Sequence, residues 1–275
     1  MNLENEEIGV GATNELKLRV SVGTLVRVLF ANPDDGRNML ALEHISTLRK
    51  INEKSEIIAR VKPFGGGVQI IDEKKLKELI GDFHYDSERS RKEKDFRIMV
   101  RQESWEKIKE ICREHLKDKE QGILDSSPVR ELAEEFEDSL KIKITQQQYT
   151  LNSPIMIIQD VPSKTDNIRA QGFPTVRIYY IFEAGIASPE LINLMLNNSK
   201  QYSPEVLKKT AEEERSMGRR GRANAILTLD LEEITDKFKS LPFEMRNERI
   251  KFEEYQLDGN VVAVLPDISA PEYQY

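Results

Sequence analysis

Residues 126–140, SSPVRELAEEFEDSL, place Glu131, Glu134 and Glu135 three and four positions apart, directly behind Arg130. On a helix those offsets bring side chains to one face, one turn deep. Carboxylates crowded in this way repel by about a few tenths of a kcal/mol per pair. A bound divalent cation would turn the crowding into a ligand set, and oxygen-only ligands select a hard ion such as Mg²⁺ or Mn²⁺. The plainer meaning of the same spacing is a solvated helix face, the commoner one where spacing is the only evidence.

Two other stretches carry chemistry. Gly65, Gly66 and Gly67 in PFGGGVQ permit positive φ and close backbone approach. In AEEERSMGRRGR (211–222), Arg219, Arg220 and Arg222 are interleaved with Gly218 and Gly221. Such a loop suits phosphate, because guanidinium pairs with it bidentately, and equally suits a solvated turn.

The carboxylates need a helix to position them. Ser127 is placed to act as N-cap and Pro128 to open the first turn. Val129, Leu132, Phe136 and Leu140 supply the apolar face. Before it, LRVSVGTLVRVLF (18–30), a turn at ANPDDGR and NMLALEHI (38–45) read as a hairpin. EIIARVKPFGGGVQIID (56–72) reads as a strand pair broken by the glycines. Residues 74–124 differ in character, with charged helical pieces, a strand FRIMV, and ESWEKIKEICREHL, in which Trp105, Ile108, Cys112 and Leu116 share one face. They form a candidate subdomain.

After the carboxylate helix, KIKITQQQYTL and SPIMIIQDVP read as strands, SKTDNIRAQGF as a loop and PTVRIYYIFEAGI (174–186) as the longest strand. SPELINLMLNN and SPEVLKKTAEEERSM read as helices begun by Ser-Pro, GRANAILTLDLEEITDKFKSL as strand then helix, and NVVAVL as a closing strand. This irregular mixture predicts an α+β fold. Residues 1–17 are expected to be flexible and 266–275 to form a polar tail.

RELAEEF resembles the second half of the Nudix box, G-x5-E-x7-R-E-U-x-E-E-x-G-U with U apolar. Arg130, Glu131, Leu132, Glu134 and Glu135 stand in the R, E, U, E and E places, and Gly67 to Glu73 satisfies G-x5-E. There are 56 residues between Glu73 and Arg130 where the family usually has 7, and Glu137 replaces the glycine after the double glutamate. The order of elements is similar to the Nudix α/β/α sandwich over residues 18–265, with 74–124 as an insertion.

The resemblance implies metal-dependent hydrolysis of a pyrophosphate bond in a nucleoside diphosphate derivative, a nucleotide-type small molecule. Cations would neutralise the phosphate oxygens and help ionise the attacking water. Glu131, Glu134 and Glu135 would hold Mg²⁺ or Mn²⁺, and Arg130 would orient a carboxylate such as Glu73. Gly65–Gly67 would shape the substrate wall, and Arg219, Arg220 and Arg222 would close over phosphate. A further base would come from a distant loop, with Glu212, Glu213 and Glu214 as candidates. The alternative is a non-hydrolysing Nudix-fold module that senses a nucleotide or binds a protein. Tyr179, Tyr180 and Phe182 could stack on a base or belong to the core. His84 and Tyr85 could cap a pocket or lie in a surface loop.

Composition bounds the rest. With 41 basic and 48 acidic residues the net charge is −7, which disfavours long nucleic acid as a partner. No apolar run approaches the roughly 20 residues of a membrane span. The acidic start has no basic n-region or apolar h-region, and Cys112 has no second cysteine to pair with. Cytoplasmic location is therefore expected. His44, His84 and His115 show no zinc spacing. A homodimer is the default assembly.

Overall fold

The structure is a computed structural model describing residues 18–51, 54–118, 122–163, 172–242, 245–246 and 248–266. The expectations for residues 1–17, for most of the loop at 164–171 and for the tail beyond 266 lie outside the described residues. The elements run β1 (Leu18–Ala31), β2 (Asn38–Ile51), β3 (Lys54–Lys62), β4 (Phe64–Gly67), β5 (Gln69–Ile70), α1 (Glu73–Ile80), β6 (His84–Tyr85), α2 (Glu88–Glu93), β7 (Arg97–Val100), α3 (Ser104–Lys117), β8 (Leu124–Asp125) and α4 (Pro128–Leu140). They continue β9 (Tyr149–Leu151), β10 (Ile155–Ser163), β11 (Thr175–Ile186), α5 (Pro189–Gln201), α6 (Pro204–Ser216), β12 (Arg222–Asp230), α7 (Leu231–Lys239), β13 (Ile250–Phe252) and β14 (Tyr255–Leu257). The expected α+β class is what the chain adopts, with a mixed sheet: β1–β2 and β2–β3 are antiparallel, β14–β3 parallel.

Two compact units divide the chain. One is Met1–Gly23, Gly67–Ser126 and Ile158–Ile178; the other is Thr24–Gly66, Ser127–Ile157 and Tyr179–Tyr275.

The second unit holds α4 and is built around β2. Val28–Ala31 of β1 pairs with Asn38–Ala41, and β3 pairs with Glu43–Ile51. β12 pairs with Met39–Thr47. Since a strand has one neighbour per side, β12 occupies one side of β2, and β1 followed by β3 the other. Beyond β2, the edge of β12 is covered by α5. The N–H groups of Ile226 and Thr228 donate to Asn198 Oδ1 at 2.7 Å and Ser199 Oγ at 3.0 Å. These bonds satisfy donors that an open edge would offer to other chains.

Alternation along β2 separates the two faces of this sheet. His44 and Ser46 lie opposite Ala225 and Ala223, and α6 packs there through Leu207 and Ala211. Glu43 points to the other face, where α4 packs against β12. The helix–sheet–helix layering thus follows from the strand period. Around α7 and the 3-10 turn Gly259–Val264 a larger core forms from Leu40, Leu42, Leu227, Ile234, Phe238 and Val261.

The first unit pairs Leu18–Ser21 of β1 with β7 and β6 with β7. The short strands β5 and β8 form a separate pair, and α1 packs on α3. A buried ion pair, Arg19 Nη2 to Asp86 Oδ2 at 2.6 Å, ties β1 to the turn before α2, where Ser90 Oγ donates to Asp86 Oδ1.

Two expected strands are not formed. KIKI (141–144) is irregular: Lys141 takes the left-handed conformation at φ 59° that ends α4, and the strand begins only at Tyr149. NVVAVL is a 3-10 turn whose valines are buried. A short continuous apolar run carries no period to separate strand from helix.

Candidate functional site

Helix α4 begins where Ser127 Oγ accepts from the Arg130 N–H, with Pro128 in the first turn. Leu132 and Phe136 are fully buried, and Phe136 stacks on Phe64 of β4 with centroids 5.2 Å apart. This packing fixes the helix rotation and so the direction of each glutamate.

The three glutamates do not converge. Glu131 is buried against the glycine strand, so close that a Cβ at Gly66 would collide with its carboxylate. Arg130 Nη2 lies 2.8 Å from Glu131 Oε1, and its Nη1 lies 3.6 Å from Glu134 Oε1. Glu134 itself stands in solvent, its side chain 63% exposed. Glu135 points at the sheet, where Lys62 Nζ lies 3.0 Å from its Oε1.

Lys62 is the centre of a group that spacing could not reveal. It is the direct cross-strand partner of Glu43, and its Nζ lies 2.6 Å from Glu43 Oε2. Asn224 Nδ2 donates to Glu43 Oε1 at 2.8 Å. Arg222 Nη2 lies 3.3 Å from the same oxygen and 3.7 Å from Asp138 Oδ2. The Arg222 Nε donates to Asn224 Oδ1, orienting both.

Burial is the main influence on Glu135 and outweighs the attraction of Lys62. The charge of Glu43 and a hydrogen bond shared with it add to the effect, and the Glu135 carboxyl is pushed up to about 8. Burial also raises Glu43, but Lys62, the hydrogen bond from Glu135 and Arg222 together hold it below the usual carboxylate range. Burial opposes the charge on Lys62, and the two glutamates more than restore it, raising the ammonium above its ordinary value. Burial and their mutual repulsion thus drive the two carboxyls apart, Glu135 toward its protonated form and Glu43 toward its ionised one.

This geometry decides how well α4 fits a divalent ion. A ligand set needs ionised carboxylates converging on one point. Here Glu135 is turned to Lys62, Glu131 is taken by Arg130, and of the three only Glu134 faces water. Among the described residues no three acidic, histidine or cysteine side chains are arranged to hold a metal. As folded, the three glutamates do not fit the ion that the box resemblance implies.

The remaining candidate residues scatter. Gly65 has φ +135°, and a Cβ there would meet the Thr24 carbonyl, while Gly67 runs as closely past Asp95. These tight passages account for the glycine run without any ligand. Arg222 belongs to the Glu43 group, whereas Arg219 pairs with Glu214 at 2.6 Å. Arg220 is exposed, and the N–H groups of Gly218 and Arg219 are spent on carbonyls of α6. Glu212 and Glu213 are exposed on α6. Glu73 pairs with Lys77 at 2.7 Å and accepts from Tyr85 at 3.2 Å, and Arg130 pairs with Glu131 and Glu134. Tyr179, Tyr180 and Phe182 are buried core, and His84 is exposed.

Glu43 and Lys62 were missed because nothing local marks them. The one available signal was Glu43 itself, an acid inside the apolar strand LALEHI, since a buried charge needs a partner.

None of the family models, curated proteins or solved structures compared with this chain matches it. Among the described residues no helix is long and apolar enough to cross a membrane.

Proposed function

We propose that this chain is a Nudix-like module that binds a nucleoside diphosphate derivative without metal-assisted hydrolysis at α4. One observation carries the non-hydrolysing part: Lys62 Nζ sits 2.6 Å from Glu43 and 3.0 Å from Glu135. The helix carboxylates are compensated by the protein's own cations. The nucleotide part rests on the resemblance of the half-box and its glycine strand.

This reading also supplies a reason for the crowded glutamates that needs no substrate. Glu131, Glu135 and Asp138 lie at i, i+4 and i+7, a stripe along one side of α4. Their contacts are Arg130 for Glu131, Lys62 for Glu135 and Arg222 for Asp138. Glu135 and Asp138 fasten the helix to the sheet, while Glu131 pairs within the helix and packs against Gly66.

Catalytic hydrolysis is the second reading, favoured by the exposed Glu134 carboxylate beside Arg130. It requires Glu131 and Glu135 to leave their partners. The test is a panel of nucleoside diphosphate derivatives incubated with the protein and Mg²⁺ or Mn²⁺, products being resolved by chromatography and binding followed by thermal shift. Stabilisation by one ligand without cleavage is expected. Metal-dependent cleavage that disappears in Glu134→Gln/Glu135→Gln would overturn the proposal in favour of the enzyme.

A further inference from the structure

We infer that Lys62 is a resident cation: its ammonium holds Glu43 and Glu135 together between sheet and helix, the task a divalent ion performs in a carboxylate site. The inference rests on the non-hydrolysing reading above and gives it a specific cause.

Four features carry it. First, the position of Lys62 is set by the sheet, because Lys62 and Glu43 are cross-strand partners in the β2–β3 ladder. Side chains of such a pair stand side by side on one face, so the ammonium is delivered to Glu43 by register. Second, the Nζ bridges two carboxyls from different elements, at 2.6 Å to β2 and 3.0 Å to α4. A bridging point charge is what a metal supplies to such a pair. Third, neighbouring groups hold the same carboxylates in place: Arg222 faces Glu43 and Asp138, and Asn224 donates to Glu43. Fourth, Glu43 is wholly buried. A buried carboxylate stripped of its cation is strongly destabilised, so a cation is obligatory and the lysine provides one that cannot dissociate.

The consequence is a site closed to metal by a side chain rather than by lack of ligands. Removing the ammonium while keeping the length of the chain should leave Glu43 and Glu135 as oxygen donors facing a vacated position. Divalent ions favour such donors.

The experiment is Mn²⁺ titration followed by electron paramagnetic resonance, where bound ion is lost from the free-ion signal, on wild type, Glu135→Gln, Lys62→Met, Lys62→Gln and Lys62→Met/Glu135→Gln. Circular dichroism establishes that each variant is folded. Wild type is expected to show no saturable uptake. Lys62→Met, or Lys62→Gln if the first does not fold, is expected to gain it, and the added Glu135→Gln to lose it again.

Uptake by wild type that Glu135→Gln abolishes would overturn the inference, since a metal would then displace the lysine. Folded lysine variants that take up no Mn²⁺ would overturn it as well. Failure of every nucleotide to bind would defeat the proposed function and leave these outcomes unchanged, so the two can fail separately.

Discussion

Helices α4 and α6 begin alike and end differently. Each is capped by a serine whose hydroxyl accepts from a first-turn N–H, with proline following it. Each carries a cluster of three glutamates, at 131, 134 and 135 in α4 and at 212, 213 and 214 in α6, besides a fourth at 137 and 205 respectively. In α4 Glu131 is buried and Glu135 nearly so; in α6 Glu212 and Glu213 are exposed, while Glu214 pairs with Arg219. Consecutive residues fan around a helix by roughly 100° each, so 212–214 cannot share a direction, whereas 131 and 135 can. The partner surface does the rest. α6 lies on Ala223 and Ala225, which offer no charge to an acid. α4 lies over Glu43, Lys62 and Arg222, which demand one.

That difference can be broken most forcefully at Lys62. Removing one partner of a buried ion pair costs about 3–5 kcal/mol, so Lys62→Met should lower stability by about that much in urea unfolding. Glu213→Gln on α6 is expected to change it by less than about 0.5 kcal/mol, as for an exposed position. Next in size is Gly66→Ala. Its new methyl would push into the Glu131 carboxylate, an overpacking expected to cost about 1–3 kcal/mol, again read by urea unfolding. An alanine as stable as wild type would show that Glu131 is not held against the strand.

The pH dependence sharpens the comparison more gently. In the folded chain Glu135 keeps its proton to about 8, while the ordinary value is 4.5. The folded state thus binds more protons across that window, and its stability falls as pH rises from about 4.5 to 8. His44 acts oppositely. Burial, only partly offset by a hydrogen bond to the Tyr202 backbone and reinforced by Lys208, lowers it from 6.5 to about 4, so its contribution is regained as pH rises between those values. Above pH 6.5 the Glu135 effect stands without the histidine's. The midpoint of thermal unfolding is expected to decline from there to pH 8 in wild type and to flatten in Glu135→Gln, with Glu213→Gln following wild type. The same decline in Glu135→Gln would place its origin elsewhere.

Much of the fold was legible because local chemistry dictated it. The Ser-Pro starts of α4, α5 and α6, the hairpin before the glycines and the strand-then-helix of β12 and α7 are all written in caps and periods. KIKI misled because its alternation has the strand period but its segment finds no pairing partner. NVVAVL misled because burial on all sides erases the period. For the site, the glutamates of α4 were visible, and so was their crowding. Their counter-ions were not, because Lys62 and Glu43 come from a neighbouring strand pair, and only the register of the sheet brings them under the helix. The glycine run was read correctly as a place of close approach, but what approaches is Thr24 and Glu131 of the same chain.

The burial of Glu135 beside Glu43, which outweighs the attraction of Lys62, underlies the pH dependence, and it can be observed directly. Carbon-13 NMR of protein labelled at the glutamate side-chain carboxyls, titrated from pH 4 to 9 with Glu135→Gln used to assign the signal, reports the protonation of that one group. A midpoint near 8 is expected. A midpoint in the ordinary carboxylate range would contradict it, leaving Glu135 ionised at neutral pH beside Lys62.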